Sequence, residues 1–188
     1  MKRGLVFVIS APAGTGKTTL VKMLKEEFHN VVDSISYTTR PPRANEVAGR
    51  DYNFISGVEF EKKIKEGEFL EYAKVFHHYY GTSKKRVDAQ RAKGKNVILV
   101  IDTQGALQLM DQLDAVFIFI SPPNLEELRA RLYRRKSEDE EAMQTRLSWA
   151  EKEMALASEY DYHIVNDNLK IAYDVLRSIL IAEEHRNR

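Results

Sequence analysis

A short apolar run, Leu5–Ile9, leads directly into Ala11-Pro-Ala-Gly14-Thr15-Gly16-Lys17-Thr18 and then into the helical pattern Thr19-Leu-Val-Lys-Met-Leu-Lys. No other feature of the chain constrains its fold as much. Strand, glycine-rich turn and helix, in that order, are the context of the phosphate-binding loop G-x-x-x-x-G-K-[ST]. Successive backbone N–H groups in such a turn converge on an anion, and the helix N-terminus adds partial positive charge. The backbone from Ala11 through Pro12, Ala13, Gly14, Thr15 and Gly16 would cradle a nucleoside triphosphate. Lys17 would reach its β- and γ-phosphates, and the Thr18 hydroxyl would ligate Mg²⁺. Ala11 stands where the pattern has its first glycine. A methyl group there restricts the backbone without removing any N–H donor. An ordinary βα turn with a chance Gly-Lys-Thr is the alternative, and the flanking elements argue against it.

Apolar, β-branched runs recur at Leu5–Ile9, Val32–Tyr37, Asn96–Ile101, Ala115–Ile120 and His163–Val165. Helical spacing appears between them: Leu20, Met23, Leu24 and Phe28; Leu128 and Leu132 within Leu125–Arg135; and Ala172, Tyr173, Leu176, Ile179 and Leu180 within Leu169–Ala182. Strands alternating with helices predict an α/β fold, a three-layer core with a parallel sheet covered on both faces. Two regions break the rhythm. Residues 38–83 are rich in arginine, tyrosine and glycine, with extended pieces at Tyr52–Phe54 and Phe69–Phe76 and a helix over Gly57–Lys65, as expected of an insertion with its own small sheet. Residues 128–156 carry a basic group followed by Ser137-Glu-Asp-Glu140, whose capping-box spacing starts a new helix and makes Arg134–Lys136 the break of a hinged lid. The expected core is thus residues 1–37, 84–127 and 157–188, all within one structural unit.

The charge balance narrows the partners. With 29 basic and 28 acidic residues the net charge is +1, which speaks against a nucleic-acid binder. The arginines cluster, however, as Arg40, Arg43 and Arg50 and again as Arg129, Arg131, Arg134 and Arg135, a distribution suited to small anionic ligands. The absence of cysteine excludes disulfides and thiolate chemistry. No apolar stretch has the length of a membrane span, so the expected location is the cytoplasm. His77-His78 would face opposite sides of a strand, with no acid cluster beside them, and is read as loop rather than metal site.

Two further segments carry chemistry. Asn96–Ile101 ends in Asp102, an acid placed to hold Mg²⁺ or to cap a helix from Thr103, or both. The stretch from Ser36 to Phe54 sets Arg40 and Arg43 among hydroxyl groups, with Pro41-Pro42 stiffening the turn. Arginine forks match phosphate oxygens, and Ser36 and Tyr52 hydroxyls would complete the cage; a solvated basic loop is the alternative.

At this point the pattern resembles a known family. The phosphate loop, S-x-T-T-R-x-P-R-x-x-E-x-x-G-x-D-Y-x-F over Ser36–Phe54, E-F-L-E-Y ending at Tyr72, and Y-Y-G-T ending at Thr82 together resemble guanylate kinases. The likeness continues through I-D-x-Q-G at Ile101–Gly105, Arg131-Leu132 with Arg135, Arg146-Leu147, and Val165-Asn166-Asp167. It covers nearly the whole chain. It implies transfer of the γ-phosphoryl group of ATP to GMP, and to dGMP, with Mg²⁺. Residues 38–83 would be the GMP-binding insertion and residues 128–156 the lid. Ser36, Arg40, Arg43, Tyr52 and Tyr80 would hold the GMP phosphate, while Glu71, Thr82 and Asp102 would serve the base. Lys17, Arg131, Arg135 and Arg146 would act on the transferring group, and Asn166 would contact ATP. Guanine presents N1–H and N2–H₂ donors that suit a carboxylate and an O6 acceptor that suits a hydroxyl.

Each of these roles has a plainer rival. Glu71 could be a solvent-facing strand residue, and the lid arginines could be surface groups paired with the acids at 138–141. Trp149 is expected to pack. The resemblance also departs in detail: Val100 stands where many members carry an acid, and Lys136 where glycine is common. A non-catalytic guanylate-kinase-like module that binds a phosphopeptide is the alternative function, against which Lys17 and Thr18 are intact. The partners implied are small nucleotides, without nucleic acid or membrane, and self-association is left open.

Overall fold

In the computed structural model, residues 3–134 and 140–187 are described. Their backbone contacts divide the chain into two compact units, one built from Asn30–Ala115 with the N-terminal segment through Val6, the other from Phe7–His29 and the chain from Val116 onward. The division runs through the first strand, β1 (Val6–Ser10).

In the first unit, β2 (Val31–Asp33) pairs in parallel with β7 (Asn96–Val100), in the register Val31–Asn96, Val32–Val97 and Asp33–Ile98. The Leu5 carbonyl accepts from Val97 N–H at 2.9 Å, and Leu5 N–H donates to the Asn96 side chain at 3.0 Å. A separate four-stranded sheet has the order β4-β3-β6-β5, formed by β3 (Tyr37–Thr38), β4 (Asn53–Phe54), β5 (Phe69–Val75) and β6 (His78–Ser83). This is the small sheet expected within residues 38–83. α2 covers it over Gly57–Lys65, the predicted span, with Ser56 accepting from Glu59 N–H as its cap. Phe60 of α2 is fully buried and stacks on Phe69 at 4.5 Å and on Tyr79 at 5.1 Å. Gly81 beneath them has no room for a side chain, since a Cβ would lie 2.9 Å from Phe60 Cζ. The β5–β6 hairpin turns through Phe76 and His77, so the two histidines sit in a turn and at a strand start.

Two expectations are corrected in this unit. The run Val32–Tyr37 is not one strand. Ser34 N–H still donates to the Ile98 carbonyl, whereas the Ser36 carbonyl accepts from Asn53 N–H. Neighbouring residues thus pair in different sheets, which apolar content alone does not reveal. α3 (Lys84–Ala92) was not anticipated, because only Val87 is buried and the helix lacks an apolar stripe. Its start is marked by Ser83, whose hydroxyl accepts from Arg86 N–H. α4 (Thr103–Met110) follows β7, capped by Asp102.

In the second unit, β1 pairs in parallel with β8 (Val116–Ser121), and β8 with β9 (Tyr162–Val165). Every residue of β1 and β8 is buried, as expected for parallel strands covered on both faces. α1 (Lys17–Glu27) and α7 (Leu169–Glu184) are joined where Tyr173 and Arg177 both donate to the Glu27 carboxylate. α5 (Leu125–Arg134) and α6 (Glu140–Ala155) pack through Leu128, Leu132, Met143 and Ala150. Trp149 lies half-buried in α6. The expected helix start at Ser137 and the break at Arg134–Lys136 extend into residues 135–139, outside the described residues.

Candidate active site

The glycine-rich turn lies between β1 and α1, and two of its glycines are required by geometry. Gly14 and Gly16 have φ of 91° and 90°, a left-handed conformation that side chains resist. A Cβ on Gly14 would lie 3.0 Å from Leu132 Cδ2 of α5, and one on Gly16 would lie 2.6 Å from Asn166 Nδ2. Ala11 is buried, and among the described residues only Phe76 adopts positive φ without being glycine. Alanine therefore replaces the first glycine of the motif without backbone strain. The Thr15 hydroxyl donates to the Pro12 carbonyl at 2.8 Å and closes the turn on itself. Lys17 Nζ donates to the Ala11 carbonyl at 3.4 Å, which folds the side chain back over the loop. Thr18 is exposed on the first turn of α1, a helix that begins without a side-chain cap or an acidic residue. A helix N-terminus without a side-chain cap or an acid suits an anion.

Asn166 follows β9 and is only 4% exposed. Its amide donates to the Thr15 carbonyl at 2.6 Å, and its own carbonyl accepts from Arg131 Nη1 at 3.0 Å. Arg131 Nε is held by Glu127 at 2.8 Å. The second unit therefore brings the turn, Asn166 and Arg131 together. The sequence reading gave Asn166 a contact with ATP and did not include its contact with the turn itself, for which no local sequence signal exists. Arg146 is half-buried on α6. Arg135 lies outside the described residues. Of the expected pairing of arginines with the acids at 138–141, the described part is a contact of Arg129 with Glu140 at 3.7 Å, reinforced by a hydrogen bond from Tyr133 to Glu140.

In the first unit, Arg40, Tyr52 and Tyr80 come together. Arg40 Nε donates to the Tyr80 hydroxyl at 3.2 Å, and its guanidinium lies 5.4 Å from the Tyr52 ring centroid. Its Nη2 is fixed by Glu46 at 2.8 Å, while the other Glu46 oxygen accepts from Arg43 N–H at 2.8 Å. Glu46 thus links the Arg40 guanidinium to the Arg43 backbone, a role the sequence reading did not assign to it. The Arg40 guanidinium holds the Glu46 carboxyl below its ordinary value, ahead of an opposing effect of burial. Burial pushes the Tyr52 phenol up. Arg43 is exposed, and Ser36 is buried, its carbonyl engaged by Asn53.

Glu71 corrects the alternative of a solvent-facing residue, because it is 3% exposed. Glu71 of β5 pairs across the hairpin with Thr82 of β6. Burial pushes its carboxyl up to about 7; Thr82 offsets part of that rise and the charge of Asp102 adds to it. The buried Thr82 hydroxyl faces this carboxylate without completing a hydrogen bond of good geometry. Asp102 uses Oδ1 to accept from Gly105 N–H at 2.9 Å and Oδ2 to accept from Gln104 at 3.3 Å, so the capping role is realised. Among the described residues no three acidic or histidine side chains gather as a metal site, which includes His77 and His78. Val100 is half-buried at the end of β7.

The sequence pattern of the family described as Guanylate kinase matches residues 3–183. The chain belongs to the guanylate kinase family. It is 58% identical to a guanylate kinase of Protochlamydia amoebophila over 98% of its own length and 94% of the relative's. It is 50% identical to one from Chlamydia felis, over 97% and 90%. The crystal structure of guanylate kinase from Anaplasma phagocytophilum matches with a TM-score of 0.81 at 36% identity, covering 99% of this chain and 89% of that one. The α/β phosphate-loop fold inferred from the sequence is thereby shown over nearly the full chain. Among the described residues no helix is long and apolar enough to cross a membrane.

Proposed function

We propose that this guanylate kinase transfers the γ-phosphoryl group of ATP to GMP, and to dGMP, with the glycine-rich turn as its ATP site and residues 38–83 as its GMP-binding insertion. The observation that carries the reading is the buried Glu71 carboxyl beside the unsatisfied Thr82 hydroxyl. Those groups match the adjacent N–H donors and the O6 acceptor of guanine. Adenine would turn its N1 lone pair towards the carboxylate, and an unpaired buried polar group discriminates by orders of magnitude. Arg40, Arg43, Tyr52, Tyr80 and Ser36 hold the GMP phosphate, with Glu46 setting the arginines.

Phosphoryl transfer demands an acceptor phosphate in line with the γ-phosphate and positive charge over the equatorial oxygens. Lys17 supplies that charge at the turn, and Arg131, Arg135 and Arg146 supply it from residues 128–156, which act as a lid. The acceptor is already an anion, so no strong general base is needed. Mg²⁺ bound to a nucleotide takes phosphate oxygens and water and asks for few protein ligands, which the exposed Thr18 hydroxyl satisfies. It would spread the negative charge of the β- and γ-oxygens. We assign Asp102 to the base side, because it lies beside Glu71, whose carboxyl its charge raises, and faces the same point of Gly105.

The test is ADP formation from ATP and Mg²⁺ with GMP, dGMP, AMP, CMP, UMP and dTMP supplied separately. Turnover with GMP and dGMP alone is expected. Equal turnover with AMP would overturn the base assignment.

A further inference from the structure

Gly105 is a glycine that its backbone does not require. It occupies an early position of α4 and has no positive φ, so alanine would suit the helix better. The reason for its presence is space. A Cβ at this position would lie 2.4 Å from Glu71 Oε2, 3.1 Å from Glu71 Cδ and 3.3 Å from Asp102 Oδ1. The same residue donates its N–H to Asp102 Oδ1 at 2.9 Å. One turn further on, Gln108 is bonded to both backbone groups of Tyr72: its amide donates to the carbonyl at 2.8 Å, and its oxygen accepts from the N–H at 3.4 Å. α4 is therefore pinned to β5 at the residue after Glu71 and cannot withdraw to make room for a methyl group.

We infer that Gly105 is the positioning residue of the base site, its bare Cα backing the Glu71 carboxylate while its N–H holds Asp102, so that both acids are set for the guanine edge. This rests on Glu71 as the reader of guanine. α4 acts as a template: Gly105 sets the position of the carboxylate, and Gln108 fixes the template on the strand. A methyl group at 105 moves the carboxylate rather than the helix, because the Glu71 side chain has torsions to turn about while α4 is held to Tyr72 by two hydrogen bonds.

The experiment measures KM for GMP and for ATP separately in Gly105→Ala, Glu71→Gln and the double variant. Gly105→Ala is expected to raise KM for GMP by about tenfold or more, with KM for ATP unchanged. The double variant is expected to behave like Glu71→Gln alone, since both changes act through one carboxylate. Unchanged KM for GMP in Gly105→Ala, or an equal rise for both nucleotides, overturns the inference. So does full additivity in the double variant. If Glu71→Gln leaves KM for GMP unaltered, the reading of Glu71 itself fails, a result distinct from failure of the Gly105 role. Should Gly105→Ala not fold, Gln108→Ala decides: a rise in KM for GMP alone supports the template, and no change refutes it.

Discussion

The Asn166 side-chain amide donates to the Thr15 carbonyl at 2.6 Å, tying the residue after β9 to the middle of the glycine-rich turn. Thr15 is itself buried, so this carbonyl has little access to water as a substitute partner. A buried acceptor left unpaired costs about 1–3 kcal/mol. Asn166→Ala is therefore expected to lower stability by that amount and to weaken ATP while sparing GMP. Thermal unfolding together with separate KM values checks both. Gly16→Ala should be more severe, because it combines a left-handed φ with a 2.6 Å approach to Asn166 Nδ2. Loss of ATP binding with retained GMP binding is expected by calorimetry.

Glu71 gives the protein a pH dependence with a defined sign. Burial lifts its folded value to about 7 from an ordinary value of 4.5. Between those values the folded chain keeps a proton that the unfolded chain has lost. Stability falls as pH rises through this window, by up to about 3 kcal/mol from this residue. Asp102 is the charged neighbour that steepens the effect. Glu71→Gln should flatten the fall, and melting curves at about pH 5 and pH 8 compare the two proteins. Identical slopes would remove Glu71 as the cause. On the proposed reading Glu71 meets guanine as a carboxylate, so GMP affinity should rise over the same range, and the heat of binding should vary with the ionisation enthalpy of the buffer that takes up the released proton.

Glu46 joins the Arg40 guanidinium to the backbone N–H of Arg43 through its two oxygens, and both arginines are proposed to hold the GMP phosphate. Replacing it by Ala leaves Arg40 in contact with Tyr80 but without its fork partner. KM for GMP is expected to rise by about tenfold, because charge-assisted bonds of this kind contribute roughly 1.5–3 kcal/mol. Guanosine, which lacks the phosphate, should bind wild type and variant alike. A comparable loss for guanosine would show that Glu46 supports the base side instead.

Lys17 lies folded over the turn by its contact with the Ala11 carbonyl. Lys17→Met keeps the length of the side chain and removes its charge. The expected outcome is a fall in kcat of about a hundredfold or more with an unchanged melting temperature, since electrostatic stabilisation of the transferring group is lost while the fold is not. Retained kcat would move the charge requirement to the arginines of residues 128–156.

Much of this was legible in the chain alone. Phe60 and Ile64 among charged neighbours marked α2 over its observed span, and the unbroken apolar runs marked β1, β7 and β8. Ala11 to Thr18 read as a phosphate-binding turn because its backbone requirement is local: strand, left-handed glycines and helix lie within one short segment. Harder to see were α3, whose single buried residue leaves no periodic stripe, and the split at Ser34–Ser36, where hydrogen-bond partners change and composition does not.

The division follows from the range of the forces involved. Dihedral preference, helical periodicity and motif spacing act over a few neighbouring residues, so the sequence by itself determined the α/β class, the phosphate turn and the family to which the residues belong. Burial is set by what packs against a residue from far along the chain. Glu71 is buried although the strand pattern left it free to face water, because Gly105 allows close approach. Asn166 reaches a carbonyl at Thr15, which precedes it by most of the chain. Tertiary structure alone converted these two polar side chains into a raised carboxyl and a clamp on the turn, since only packing removes water from around them.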